Sequence, residues 1–288
     1  IIEKGTLPTT AWATVQDFTD AVGAGLKPLI DRVGHNNIAG VGVGAPNGNF
    51  YTGEIAFAPN LPWKGVIPLA RLLQEAVHLP CTLTNDANAA AIGEMAYGVA
   101  KGMSDFLVVT LGTGLGSGFV ANGKVIYGHD GFAGELGHVI AVRGGRVCGC
   151  GRKGCLETYC SATGLVRTAR EWLTQRTEAS ELRAIPPEEL KAHHIQHAAT
   201  NGDGLALEMY DYTARILGEI LADAVALTSP QAIIFFGGMA KAGDLLLVPT
   251  RRYMEANMLN IFANKVSFHI SALPDADAAI LGASALVW

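Results

Sequence analysis

The sequence lacks the marks of a nucleic-acid binder, a disulfide scaffold or a membrane span. No run of Lys and Arg exceeds two residues and the net charge is −5, so no clustered basic face is available to neutralise phosphates. Cysteine is scarce: five among 288 residues, four of them between 148 and 160. That crowding suits metal ligands and free thiols in a reducing compartment rather than a frame of disulfides. The opening IIEKGTLPTT carries no apolar stretch, so a secretory leader is not expected and a cytoplasmic protein is. The longest charge-free run, Phe106 to Gly123, has the length of a span but contains five glycines, two threonines and a serine, which predicts strand–loop–strand instead. No fixed short repeat or low-complexity linker is present. What the chain does have is 49% hydrophobic residues, enough for a large core divided between two α/β lobes.

Local patterns place the elements. An apolar stripe from Trp12 to Val33 predicts a helix capped by Thr9 or Thr10 and kinked or interrupted at Pro28. Ile38–Ala45 reads as a buried strand ended by Pro46-Asn47-Gly48. A helix is expected near Val66–His78, a strand at Cys81–Thr84, and a helix over the alanine-rich 87–97. Asn85 and Asp86 therefore stand at a strand's C-terminal end where a helix begins, the place where open α/β sheets bind ligands; capping of that helix is the plainer role for Asp86. Strand Phe106–Thr110 leads into Gly112-Thr113-Gly114-Leu115-Gly116-Ser117-Gly118, whose backbone N–H groups, with the hydroxyls of Thr113 and Ser117, can meet phosphate oxygens. It is not a dinucleotide fingerprint, because a strand follows it. Helical patterns cover 156–176, a short piece from Pro186-Pro187, Asp203–Leu227 and Asp244–Met258, with strands at Ala232–Phe236 and Lys265–Ser271 and an alanine-rich helix at the end. Gly237-Gly238 is a second place for close backbone approach.

The densest chemistry lies in GFAGELGHVIAVRGGRVCGCGRKGCLE, residues 131–157. His138, Cys148, Cys150 and Cys155 are spaced H-x9-C-x-C-x4-C, a Cys3His set suited to tetrahedral zinc. Glu135, His138 and Glu157 add two carboxylates and an imidazole, groups that hydrogen-bond several hydroxyls at once. A zinc-bound histidine must find an acceptor for its second ring N–H, and a sugar hydroxyl could be that acceptor. On this reading the zinc is structural: it holds His138 and Glu157 around a polyol and takes no part in the chemistry.

Strand–ND–helix, strand–GTGLGSG–strand, GFAGELGH, C-x-C-x4-C-L-E and FFGG, in that order, resemble the ROK family of bacterial sugar kinases from about Ile38 onward, and most of all its ATP-dependent glucokinases. The resemblance implies an α/β, two-lobed actin-like, hexokinase-like (ribonuclease H-like) ATPase fold with a structural zinc site. The smaller N-terminal lobe would take residues 1–105 plus 276–288 and the larger C-terminal lobe 106–275. Asp86 would be the catalytic base, and Asn60, Asn85, Asp86, Glu135, His138 and Glu157 the substrate ligands. Gly112, Thr113, Gly114, Gly237 and Gly238 would meet the nucleotide, with His138, Cys148, Cys150 and Cys155 on zinc. ATP, Mg2+ and Zn2+ are the implied cofactors; the implied partners are a small-molecule sugar and nucleotide and further copies of the chain, as dimer or tetramer, with no nucleic acid or membrane. The family's first phosphate loop, an acidic residue followed by Gly-Gly-Thr on a first hairpin, does not precede Ile1, and about twenty residues, the reach of a two-strand hairpin, are expected to be missing there.

The expected reaction is phosphorylation of the 6-hydroxyl of a hexose, glucose by family default. An N-acetylhexosamine kinase or fructokinase would keep every residue named. A sugar-sensing transcriptional regulator, the alternative of another class, would carry a helix-turn-helix domain ahead of this body, and the acidic balance does not favour DNA.

Overall fold

The computed structural model describes residues 1–58 and 61–288, without the side chains of 275–277. It divides into two compact units: 1–101 with 125–133 and 273–288, and 102–124 with 134–272. Residues 125–133 thus group with the first unit, whereas the sequence division put them in the second. Among the described residues no helix is long and apolar enough to cross a membrane.

In the first unit α1 (Val15–Val33) starts from a capping box, Thr14 accepting from the Asp17 N–H while the Asp17 carboxylate accepts from Thr14 N. The cap is Thr14, not Thr9 or Thr10. Pro28 does not stop the helix; Pro28 and Ala24, whose carbonyl it leaves without a partner, both face water, which replaces the lost bond. Strands β1 (Val41–Ala45), β2 (Ile55–Ala56) and β3 (Val66–Ile67) follow, then α2 (Leu69–Val77), β4 (Cys81–Asn85) and α3 (Asp86–Tyr97). The helix expected from Val66 begins only at Leu69. Pro68 disfavours helical backbone in the residue before it, and two β-branched residues there pair with β2 instead. Strands β1 and β4 are parallel, from Val41 opposite Cys81 to Ala45 opposite Asn85. Helix 275–284 lies so close to β1 that a Cβ on Gly42 would overlap the Ala283 carbonyl, so only glycine fits that position. A cavity of about 330 Å³ borders β1, lined among others by Phe18, Val22, Ile55, Leu61, Trp63 and Leu73.

The second unit is built on a mixed five-stranded sheet. Strands β5 (Phe106–Leu111), β6 (Leu115–Ala121) and β7 (Lys124–Val125) run first, and β8 (Ala232–Phe236) and β9 (Ser267–Ile270) come late, in spatial order β7-β6-β5-β8-β9. The pair β5–β6 is an antiparallel hairpin, while β8 is parallel to both β5 and β9. Central β5 and β8 are buried on both faces, hence their unbroken apolar sequences. Around the sheet pack α4 (Glu157–Cys160), α5 (Ala162–Gln175), α6 (Ala192–Thr200), α7 (Gly204–Thr228) and α8 (Asp244–Asn257). The helix expected over 156–176 is two pieces, divided at Ser161. Its hydroxyl donates to the Glu157 carbonyl at 2.7 Å and accepts from Gly164 N at 3.0 Å, closing one helix and opening the next. Pro186 starts a turn rather than a helix, with Glu189 N on its carbonyl, and α6 begins at Ala192. Asp203 caps α7, whose apolar stripe is buried from Leu205 to Val225, while Leu227, expected in it, is 86% exposed.

Candidate active site

In the first unit the β4–α3 junction presents Asn85 as the last strand residue and helix N-cap, and Asp86 as the first helical residue. Ala87 N donates to both side chains, to Asn85 Oδ1 at 2.8 Å and to Asp86 Oδ1 at 2.8 Å. Capping therefore falls on Asn85, and Asp86 Oδ2 is left for other work. Burial pushes the Asp86 carboxyl above its ordinary value, against the lowering pull of the Ala87 N–H. By accessible area Asp86 is nonetheless exposed. One side of the carboxylate is open to solvent while protein crowds the rest, and screening from the open side limits the upward shift. Such a carboxylate is reachable and more basic than an ordinary aspartate. Asn60 lies outside the described residues.

In the second unit the sequence-spaced quartet converges. The ligand atoms of His138, Cys148, Cys150 and Cys155 all lie within 4.8 Å of one another. Cys148 Sγ is 3.7 Å from His138 Nδ1, and Cys150 Sγ is 3.6 Å from Cys155 Sγ. A tetrahedron with zinc–sulfur bonds near 2.3 Å has edges of about 3.6 to 3.8 Å, so the donor set fits a zinc ion. Two bridges, Val147 with Lys153 and Ile140 with Cys155, hold the loop, and Cys148 N donates to Arg152 O at 2.9 Å. Burial pushes the Cys148 thiol up to about 12. At Cys150 burial also acts upward, but the N–H of Arg152 and the neighbouring thiols outweigh it and hold the thiol below its usual value.

Glu157 opens α4 beside this cluster. Its Oε2 accepts from Leu115 N at 3.2 Å and its Oε1 from the Cys148 thiol at 3.4 Å. A Cβ on Gly114 would stand 2.5 Å from Glu157 Oε2, so the glycine read as part of a phosphate loop also seats this carboxylate. Glu135 is held from both sides by one hydroxyl. Buried Ser117 donates to Gly134 O and accepts from Leu136 N at 3.1 Å. Ser117 is thus spent inside the fold and offers nothing to a phosphate, a correction to the sequence reading. Its signal, a small hydroxyl on the inward side of a strand, was indistinguishable from a loop donor in sequence.

The proposed nucleotide glycines gather at the carboxyl ends of the inner strands β5 and β8. Gly112-Thr113-Gly114 turns between β5 and β6, and Gly237 (φ 98°) follows β8, its Cα packed against the end of β5 at Leu111. Parallel β5 and β8 end side by side, which brings the two turns together at their carboxyl ends. Carbonyls of this turn are taken by the start of α5: Ala162 N on Gly112 O at 2.9 Å, Thr163 Oγ1 on Thr113 O at 2.8 Å. Among the described residues the N–H groups of Thr113 and Gly114 have no acceptor, the form a phosphate nest requires.

The chain belongs to the ROK family, which it matches over residues 1–288. It is 38% identical over 296 residues to a glucokinase of Halalkalibacterium halodurans, covering all of this chain and 88% of that one. A ROK family glucokinase from Streptomyces griseus, in complex with glucose and AMPPNP, superposes with a TM-score of 0.79 at 34% identity, over 95% of this chain and 88% of that. An N-acetylmannosamine kinase of Shigella boydii is 32% identical across 99% of this chain and 90% of its own.

Proposed function

We propose that this chain transfers the γ-phosphoryl group of ATP to the 6-hydroxyl of a hexose, with glucose as the preferred acceptor. The observation that carries the reading is the β4–α3 junction: Asn85 takes the helix cap, leaving Asp86 a carboxylate oxygen, an open side and a raised pKa. Asp86 is the general base, taking the hydroxyl proton as the oxygen attacks in line. Asn85, Glu135, His138 and Glu157, with Asn60, hold the sugar hydroxyls, and Gly112, Thr113, Gly114, Gly237 and Gly238 approach ATP, which enters as its Mg2+ complex. Phosphoryl transfer demands little beyond positioning, charge neutralisation and one proton acceptor. His138, Cys148, Cys150 and Cys155 would hold zinc, whose contribution is to brace the loop from which His138 and Glu157 act. Glucokinase relatives near the full length of the chain support this reading over others.

The near full-length likeness to an N-acetylmannosamine kinase favours a second acceptor class, hexoses with a 2-acetamido group. A coupled phosphorylation assay across glucose, mannose, fructose, N-acetylglucosamine and N-acetylmannosamine separates the two. The highest kcat/KM is expected for glucose; a preference for either acetamido sugar reverses the order, and no transfer to any of them rejects the kinase reading.

A further inference from the structure

Arg146 lies in the glycine-rich stretch, two residues before Cys148. In the structure it is buried, 8% exposed. Its guanidinium uses all five N–H donors: Nε and one Nη2 hydrogen on Glu171 Oε2 at 3.1 and 2.5 Å, the other on Thr168 Oγ1 at 2.9 Å, and Nη1 on the carbonyls of Thr158 at 2.8 Å and Gly164 at 3.2 Å. The guanidinium carbon stands 4.5 Å from the Tyr159 ring centre, and the Arg146 backbone N–H donates to the Tyr159 hydroxyl at 2.9 Å. On its other side the Arg146 carbonyl accepts from Gly154 N at 2.7 Å, inside the metal loop.

One buried cation therefore joins the loop of Cys148, Cys150 and Cys155 to the single helical turn that begins with Glu157. Glu171 alone would neutralise it. The contact with Thr158 O, the carbonyl next to Glu157, is what aims α4 in particular, because a fully engaged fork tolerates only one arrangement of its acceptors. We propose that Arg146 is a positioning residue for sugar binding: by fixing the α4 turn against the metal loop, it places the Glu157 carboxylate. This rests on the reading of Glu157 as a sugar ligand.

The test compares wild type, Arg146→Lys and Arg146→Met for glucose affinity by calorimetry without nucleotide, KM and kcat, and zinc per chain. Misplacing a binding group by about 1 Å costs up to about 10²-fold, so Arg146→Met should weaken glucose binding by about tenfold or more and raise the glucose KM in parallel. The ATP KM should move less than about twofold and zinc should stay near one per chain, since all four ligands remain. Lysine, with three donors and no fork, should give a smaller loss in the same direction. In a Glu157→Gln background, Arg146→Lys should add almost nothing, because both act on one interaction. Unchanged glucose affinity, additive effects in that background, or zinc loss from Arg146→Lys each overturn the proposal; if Arg146→Met does not fold, the lysine variant decides alone. A wild type that binds no glucose is a different failure, that of the underlying sugar-kinase reading, and is seen before any variant is made.

Discussion

The two carboxylate sites of this protein are built by opposite means. Asp86 is fixed by local backbone: it is the first residue of α3, next to the N-cap, and its geometry follows from where a strand stops and a helix starts. Glu157 is fixed by long-range ties, from Leu115 N and, through its helical turn, Arg146. A carboxylate of the first kind is hard to misplace and easy to disarm. One of the second kind is easy to misplace by changes far from it in sequence. The division suits a kinase in which proton removal needs one atom at one place, while sugar recognition needs several groups held in register.

Four changes separate these modes, beginning with the largest. Asp86→Asn should lower kcat by about 10²- to 10⁴-fold, the range for a general base, with glucose affinity nearly intact. It should also raise Tm at neutral pH. With a folded pKa above the unfolded one, the stability linked to Asp86 is full below the unfolded value and lost as pH rises through the folded one, so removing the charge recovers it. Gly114→Ala should act on the other carboxylate, since its methyl group would meet Glu157 Oε2. The expected result is a higher glucose KM, by about tenfold for a displacement well under 1 Å, with zinc retained. Ser117→Ala removes one of the two acceptors of Leu136 N, which keeps the Gly134 carbonyl at 3.0 Å, and should cost about 0.5–1.5 kcal/mol of stability in denaturant unfolding, with a smaller rise in glucose KM through Glu135. The mildest probe is pH. As pH falls, kcat/KM should decline along a limb whose midpoint lies above the ordinary aspartate value of about 3.9, because Asp86 must be unprotonated to accept the proton; a midpoint at or below that value would contradict the crowding at Asp86.

What the sequence disclosed follows the same division. The β4–α3 junction, the β5–β6 hairpin and the metal quartet were all legible, since each is written in neighbouring residues or in ligand spacing. Local signals also failed where a single residue reversed them: Pro68 held Val66 and Ile67 in a strand, and Ser161 split one amphipathic pattern into two helices. The contributions of Ser117, Gly114 and Arg146 were not legible, because each depends on an atom 17, 43 or 12 residues away meeting it in space. Glycine-rich stretches hide such ties especially well, since the same residues serve phosphate nests, metal knuckles and close packing.

The most direct measurement is a glucose titration of the zinc-loaded chain and of the same chain after chelation, with metal content verified in both and Asp86 untouched. If the metal loop places His138 and Glu157, the stripped protein binds glucose at least about tenfold more weakly, the loss expected when positioned ligands are released. Equal affinity with and without the metal would contradict the account.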